Sequence, residues 1–229
     1  MIRDLNELIR KAKEKPARTM AVAAAEDEHV LKAVRDAVNE RVIIPLLIGD
    51  KAKIGQVAQS IGFDLNGIDL IDNREDGAAS ARLAVAKVKS GEADLVMKGF
   101  VPTADLLKAV LDKEEGLRSG RLLSHVAFFQ SPYYHKIFCV TDAAMNIAPD
   151  LEAKVQIIQN AVDACRGIGV ENPKVAVAAA VETVNLNNIF GFYVKIIQIY
   201  LLLLQIIQSP KLPMFKTNTD HMEDLLQRE

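Results

Sequence analysis

The chain contains no tryptophan, and only 5% of its residues are aromatic. Platforms that stack nucleic-acid bases need aromatic rings, so their scarcity argues against single-strand binding. An excess of one charge is also missing. There are 28 Lys and Arg against 30 Asp and Glu, a net charge of −2. No basic surplus or Lys/Arg run is present to hold a phosphodiester backbone, so no nucleic-acid partner is expected. The two cysteines, Cys139 and Cys165, form no metal-ligand spacing. They read as buried thiols, which suits a reducing compartment. His29, His135 and His221 are not spaced as a metal site either. There is no Walker loop, and GIGVEN (167–172) lacks the third glycine of a dinucleotide loop. Internal repeats are absent. The first residues, MIRDLNELIRKAKEK, are charged throughout. They lack the apolar centre of a secretion signal, and the cytoplasm is the expected location.

Alanine disappears at one end. Residues 1–184 hold 29 and residues 185–229 hold none. Residues 189–207, IFGFYVKIIQIYLLLLQII, have the length of a membrane span, but Lys195, Gln198 and Gln205 interrupt them. A membrane span is therefore not the favoured reading. A shifted reading frame fits the abrupt change better, and a buried helix or an oligomer-forming segment stays open.

Up to residue 184 two patterns alternate. ARTMAVAAA (17–25), RVIIPLLIGD (41–50), GIDLID (67–72) and DLVMKG (94–99) are short apolar runs and read as strands. Between them EDEHVLKAVRDAVNE, KAKIGQVAQSIGF and REDGAASARLAVAKVKSGEA carry helical spacing, the last stopped at Gly91. TADLLKAVLDKEEG extends the series as a further helix. Strands separated by helices of this length predict βαβ units and a mostly parallel sheet. Further on, LLSHVAFFQS and HKIFCVTDA read as strands joined by the turn SPYY. PDLEAKVQIIQNAVDACRGIG reads as a helix and KVAVAAAVE as a last buried strand.

Candidate chemistry lies where strands hand over to helices, because ligands of such sheets bind beyond the carboxyl ends of the strands. Lys98 and Gly99 end one strand, and Thr103 stands at the next helix start. A cation, a hydroxyl and free helix N–H groups suit an anion. A surface lysine followed by a capping threonine would give the same pattern. Ser124 and His125 suggest a nucleophile and base, but neighbours in a strand point to opposite faces and cannot readily bond to each other. Asp142 and Asn146 place two polar side chains after another strand, where a turn or cap is the plain alternative.

Four stretches, taken together and in order, carry a resemblance. They are VAAAEDEHVLKAVRDAVNERVIIPLLIGD, ADLVMKGFVPTADLLKAVLDKEEGLRSGRLLSHVA, FCVTDAAMNIAPDLEAKVQIIQNAV and NPKVAVAAAVETVN. The sequence from residue 1 to about 185 resembles the phosphate acetyl/butyryltransferase family, its butyryl branch most closely. The resemblance implies transfer of a short acyl group between CoA and phosphate, with acyl-CoA and phosphate as partners. It implies a homo-oligomer, CoA as a substrate, and no cofactor or metal. It implies two three-layer α/β/α domains with mostly parallel sheets facing a cleft, as in isocitrate dehydrogenase-like folds. The expected division is 1–121 for the first domain, 122–184 for the start of an apparently truncated second, and 185–229 for an atypical tail. By resemblance Lys98, Gly99, Thr103 and Ser124 bind phosphate or substrate, and Asn146 and Asp142 serve catalysis. The family's later Ser-Arg pair and following Asp have no counterpart after Asn185, where Arg228 is the one arginine. A non-catalytic, truncated or frame-shifted relative is the alternative.

Overall fold

The computed structural model describes residues 2, 4–143, 145–178 and 195–197. The chain divides into two compact units, one spanning Asn6–Arg121 and the other starting at Leu122 and including the first few residues.

After helix α1 (Leu5–Lys13), the first unit alternates β1 (Arg18–Ala23), α2 (Glu28–Asn39), β2 (Ile43–Gly49), α3 (Lys51–Ser60), β3 (Asp69–Asp72), α4 (Gly77–Lys89), β4 (Leu95–Lys98) and α5 (Thr103–Val110). The four strands form one sheet in the order β3-β2-β1-β4, and every pair is parallel. Period-two alternation sorts the side chains between faces. Ala21, Ala23 and Ile48 pack with Ala81, Ala84 and Val85 of α4 and Ala109 of α5. Val22 and Leu47 pack on the other face with Leu31 and Val34 of α2 and Ile54 and Ala58 of α3. Helices thus cover both faces, which is why β1 and β2 read as nearly unbroken apolar runs.

Each of three helices is started by an aspartate. Asp27, Asp50 and Asp76 are the N-caps of α2, α3 and α4; the first two carboxylates each accept two backbone N–H groups of the first turn, and Asp76 accepts that of Ala79. Gly91 follows α4 with φ +81°, the left-handed stop expected there. Helix α5 is shorter than its sequence pattern. Asp112 accepts from the N–H groups of Glu114 at 2.9 Å and Glu115 at 2.8 Å. That local turn draws the chain out of the helix after Val110.

The second unit contains β5 (Val126–Ser131), β6 (Tyr134–Thr141), α6 (Leu151–Gly167), β7 (Ala176–Ala178) and β8 (Lys195–Ile197). Its sheet order is β5-β6-β8-β7, with antiparallel pairs among the described residues. The expectation of a mostly parallel sheet therefore holds in the first unit and not in the described part of the second. The reason is local. Only Pro132 and Tyr133 separate β5 from β6, and a parallel pair needs a crossover of a dozen residues or more. Ile157, Ala161 and Cys165, each four residues apart, are the buried stripe of α6. Ala161 and Cys165 pack with Cys139, Val126 and Phe128 of the sheet.

Apart from the backbone of 195–197, the Ile/Leu-rich tail and its candidate readings lie outside the described residues. Among the described residues, no helix is long and apolar enough to cross a membrane.

Candidate functional site

In the first unit the chain lays down β1, β2 and β3 in one direction and then crosses to place β4 on the other side of β1. The strand order reverses between β1 and β4, and ligands of open α/β sheets bind at that point, beyond the carboxyl ends. Lys98 is paired with Ala23 there. Gly99 donates its N–H to Ala23 O and Phe100 donates to Ala24 O, both at 2.8 Å. The approach is so close that a Cβ on Gly99 would sit among the carbonyl oxygens of Ala23 and Ala24. Ala24 itself is held at φ +53°, where side chains other than glycine are strained. Just beyond it, one carboxylate oxygen of Glu26 is buried with no hydrogen-bond partner among the described residues.

The exposed Lys98 turns its ammonium onto its own loop, donating to Val101 O at 2.7 Å and Gly99 O at 3.3 Å. An ammonium has three hydrogens, so one remains for a ligand. The loop leads directly into α5. Its N-cap is Pro102, which makes no side-chain cap bond, and the exposed Thr103 is the first helical residue. The alternative of a capping threonine is thereby removed, since the cap position is taken by proline. Asp105 and Leu106 N–H both reach Pro102 O, while Thr103 and Ala104 N–H occupy the open end of the helix. A separate groove of about 500 Å³ in this unit is lined by residues such as Asn73, Arg82, Lys108 and Asp112, and it includes neither Lys98 nor Thr103.

The second unit gathers Ser124, Asp142 and Asn146 around the segment 122–125. Ser124 and His125 precede β5 rather than lying within a strand. His125 N–H donates to Asp142 Oδ1 at 3.4 Å, and its carbonyl accepts from Asp142 N–H at 2.8 Å and from the buried Thr141 hydroxyl at 2.7 Å. Asp142 sits at φ +49°, a region that Asp tolerates better than most residues. Its carboxylate accepts from Met145 N–H at 3.3 Å, Asn146 N–H at 3.2 Å and Asn146 Nδ2 at 2.5 Å. The same Asn146 nitrogen donates to Leu123 O at 3.1 Å. Both amide hydrogens of Asn146 are thus engaged inside the loop. Helix α6 grips the segment from the other side. Gln156 Oε1 accepts Leu122 N–H at 2.7 Å, and Asn160 Nδ2 donates to Leu122 O at 2.8 Å and to Ser124 Oγ at 2.9 Å.

Lys98, Gly99 and Thr103 therefore share one loop of the first unit, and Ser124, Asp142 and Asn146 share one cluster of the second. Sequence reasoning missed Thr141, Gln156 and Asn160. Gln156 and Asn160, one turn apart and flanking the buried stripe of α6, were the available signal. The contact with Cys165 and burial push the Cys139 thiol pKa up, so this thiol stays protonated and makes a poor nucleophile. Among the described residues, no three His, Cys, Asp or Glu side chains are grouped as a metal site.

Comparison with known proteins places this geometry in context. A family model described as phosphate acetyl/butaryl transferase matches residues 4–82 and 77–188. The chain is 44% identical over 185 residues to a phosphate butyryltransferase of Clostridium acetobutylicum, covering 81% of this chain and 61% of that protein. It is 38% identical over 181 residues to a phosphate acetyltransferase of Thermotoga maritima, covering 79% of this chain and 60% of that one. A branched-chain phosphotransacylase from Enterococcus faecalis V583 matches in structure with a TM-score of 0.60 at 31% identity. That match covers 73% of this chain and 58% of the other. The α/β fold is that of solved phosphotransacylases. The chain spans about three-fifths of the length of the curated relatives it matches.

Proposed function

We propose, because this chain belongs to the phosphate acetyl/butyryl transferase family, that it moves a short acyl group between CoA and inorganic phosphate. Butyryl is favoured over acetyl by a modest margin, butyryltransferase relatives being 40–47% identical and acetyltransferase relatives 38–42%. The observation that carries the reading is the Lys98 ammonium held at the β1/β4 switch point beside the open end of α5. A doubly charged anion meets there a full cation, the Thr103 hydroxyl and helix N–H groups. Gly99 allows the backbone to come that close.

In the reaction a phosphate oxygen attacks the thioester carbonyl. The carbonyl oxygen becomes an oxyanion. Its collapse breaks the C–S bond, giving acyl phosphate and the CoA thiolate, which takes up the proton that the attacking hydrogen phosphate gives up. Holding phosphate in one place removes much of the entropic barrier to the attack. Ser124 supplies a hydroxyl donor to a substrate oxygen. Asp142 and Asn146 act on the reaction through the segment they hold. A homo-oligomer in the cytoplasm belongs to the same proposal.

A second reading, phosphate or CoA binding without turnover, draws on residues 185–229, which carry no Ser-Arg pair. Phosphorus NMR of the full chain with phosphate and acetyl-, propionyl- or butyryl-CoA decides between them. An acyl phosphate signal growing fastest with butyryl-CoA is expected. Binding without any such signal would favour the second reading, and a faster acetyl reaction would move the chain to the acetyl branch.

A further inference from the structure

Asn160 and Ser124 lie 36 residues apart in sequence and meet through one nitrogen. Asn160 Nδ2 is 2.8 Å from Leu122 O and 2.9 Å from Ser124 Oγ. A backbone carbonyl can only accept, so the atom facing Leu122 must be the amide nitrogen and not the amide oxygen. That nitrogen has two hydrogens. One goes to Leu122 O and the other to Ser124 Oγ. The serine oxygen is therefore already an acceptor within the fold, and its own hydrogen has to point away from Asn160.

We infer that Asn160 is a positioning residue that turns the Ser124 hydroxyl into an outward hydrogen-bond donor for an anionic oxygen of the substrate. The inference rests on the substrate-binding role proposed above for Ser124, and Asn160 itself need not touch the substrate. Within the segment 122–125 its neighbours hold only main chain. Gln156 takes Leu122 N–H, Asn146 takes Leu123 O, and Thr141 and Asp142 take the backbone of His125. Asn160 is the described residue that addresses the serine side chain. Without it the segment stays tethered on both sides of Ser124, but the hydroxyl is free to rotate and to donate inward.

The test is a double-mutant cycle on the full chain, read by calorimetric titration with inorganic phosphate. The variants are Ser124→Ala, Asn160→Ala, both together, and Gln156→Ala. Asn160→Ala should weaken phosphate binding about tenfold, as loss of a hydrogen bond to a charged group does. The double variant should bind no worse than Ser124→Ala alone. Gln156→Ala loosens the same segment at Leu122 without touching the hydroxyl, and should leave phosphate affinity within about twofold. Asn160→Ser keeps a donor on a shorter side chain without adding charge, leaves the Ser124 oxygen without its amide partner, and should lose as much as Asn160→Ala. It carries the test if Asn160→Ala does not fold. Additive losses in the double variant, or a Gln156→Ala loss equal to that of Asn160→Ala, would overturn the positioning role while leaving the proposed function standing. A wild-type chain that binds no phosphate would overturn both.

Discussion

In the first unit the candidate groups are set by main chain, and in the second they are set by side chains. Lys98 reaches its place because Gly99 lets β4 close onto the carbonyls of Ala23 and Ala24, and because its ammonium is held by two carbonyls of its own loop. Ser124 reaches its place through the side chains of Thr141, Asp142, Asn146, Gln156 and Asn160. Topology explains the contrast. A parallel sheet delivers consecutive strands to one edge by its crossovers, so the ends converge without further help. The antiparallel hairpin of the second unit delivers no such edge, and its preceding segment has to be tied down bond by bond. Main-chain placement should fail abruptly when it fails. Side-chain placement should weaken in steps.

The largest effect is expected at Gly99. Gly99→Ala forces a methyl group into two carbonyls, and a loss of about 3 kcal/mol is expected in urea unfolding. A loss below about 1 kcal/mol would show that the main chain at the switch point yields, and would blur the contrast between the units. Asp142→Ala should come next, at about 2 kcal/mol, since it strips an acceptor from several N–H groups and leaves alanine at positive φ. Asp142→Asn should recover roughly half of that, because asparagine keeps an acceptor and tolerates the left-handed region. No recovery would mean that the carboxylate charge, not the turn, holds the segment. Thr141→Val should cost about 1 kcal/mol, as His125 O keeps the Asp142 N–H. A loss as large as that of Asp142→Ala would show the cluster acting as one cooperative unit instead of in steps.

The smallest effect concerns acid. The Glu115 and Glu114 N–H groups hold the Asp112 carboxyl below its usual range, and the Lys53 N–H does the same for Asp50. A depressed folded pKa adds stability above the unfolded value of about 3.9, and that stability is lost as pH falls through the lower folded value. The amide NMR signals of Lys53 and Glu115 should therefore shift only below the ordinary carboxylate range. Shifts within the ordinary range would mean that these turns are open in solution.

The parallel sheet was legible because each of its strands and helices is written locally. The alternation of Ala21 and Ala23 against Met20 and Val22, and the aspartates that start α2, α3 and α4, lie within a few residues of what they determine. SPYY is legible as a turn, but the apolar runs on either side of it do not by themselves mark the antiparallel direction of β5 and β6. The grip of Asn160 on Ser124 joins residues too far apart in sequence for any periodicity to mark it. The start of α5 at Thr103 is legible, but the residue that caps it is not, since Pro102 makes no side-chain bond and threonine is the commoner cap.

The most direct measurement is thiol release from butyryl-CoA on addition of phosphate, for the full chain and for Lys98→Ala. Release that requires phosphate and falls at least tenfold in Lys98→Ala is the expected result. Release at an unchanged rate in Lys98→Ala would contradict an anion site at the β1/β4 switch point, and no phosphate-dependent release by the wild-type chain would contradict acyl transfer itself.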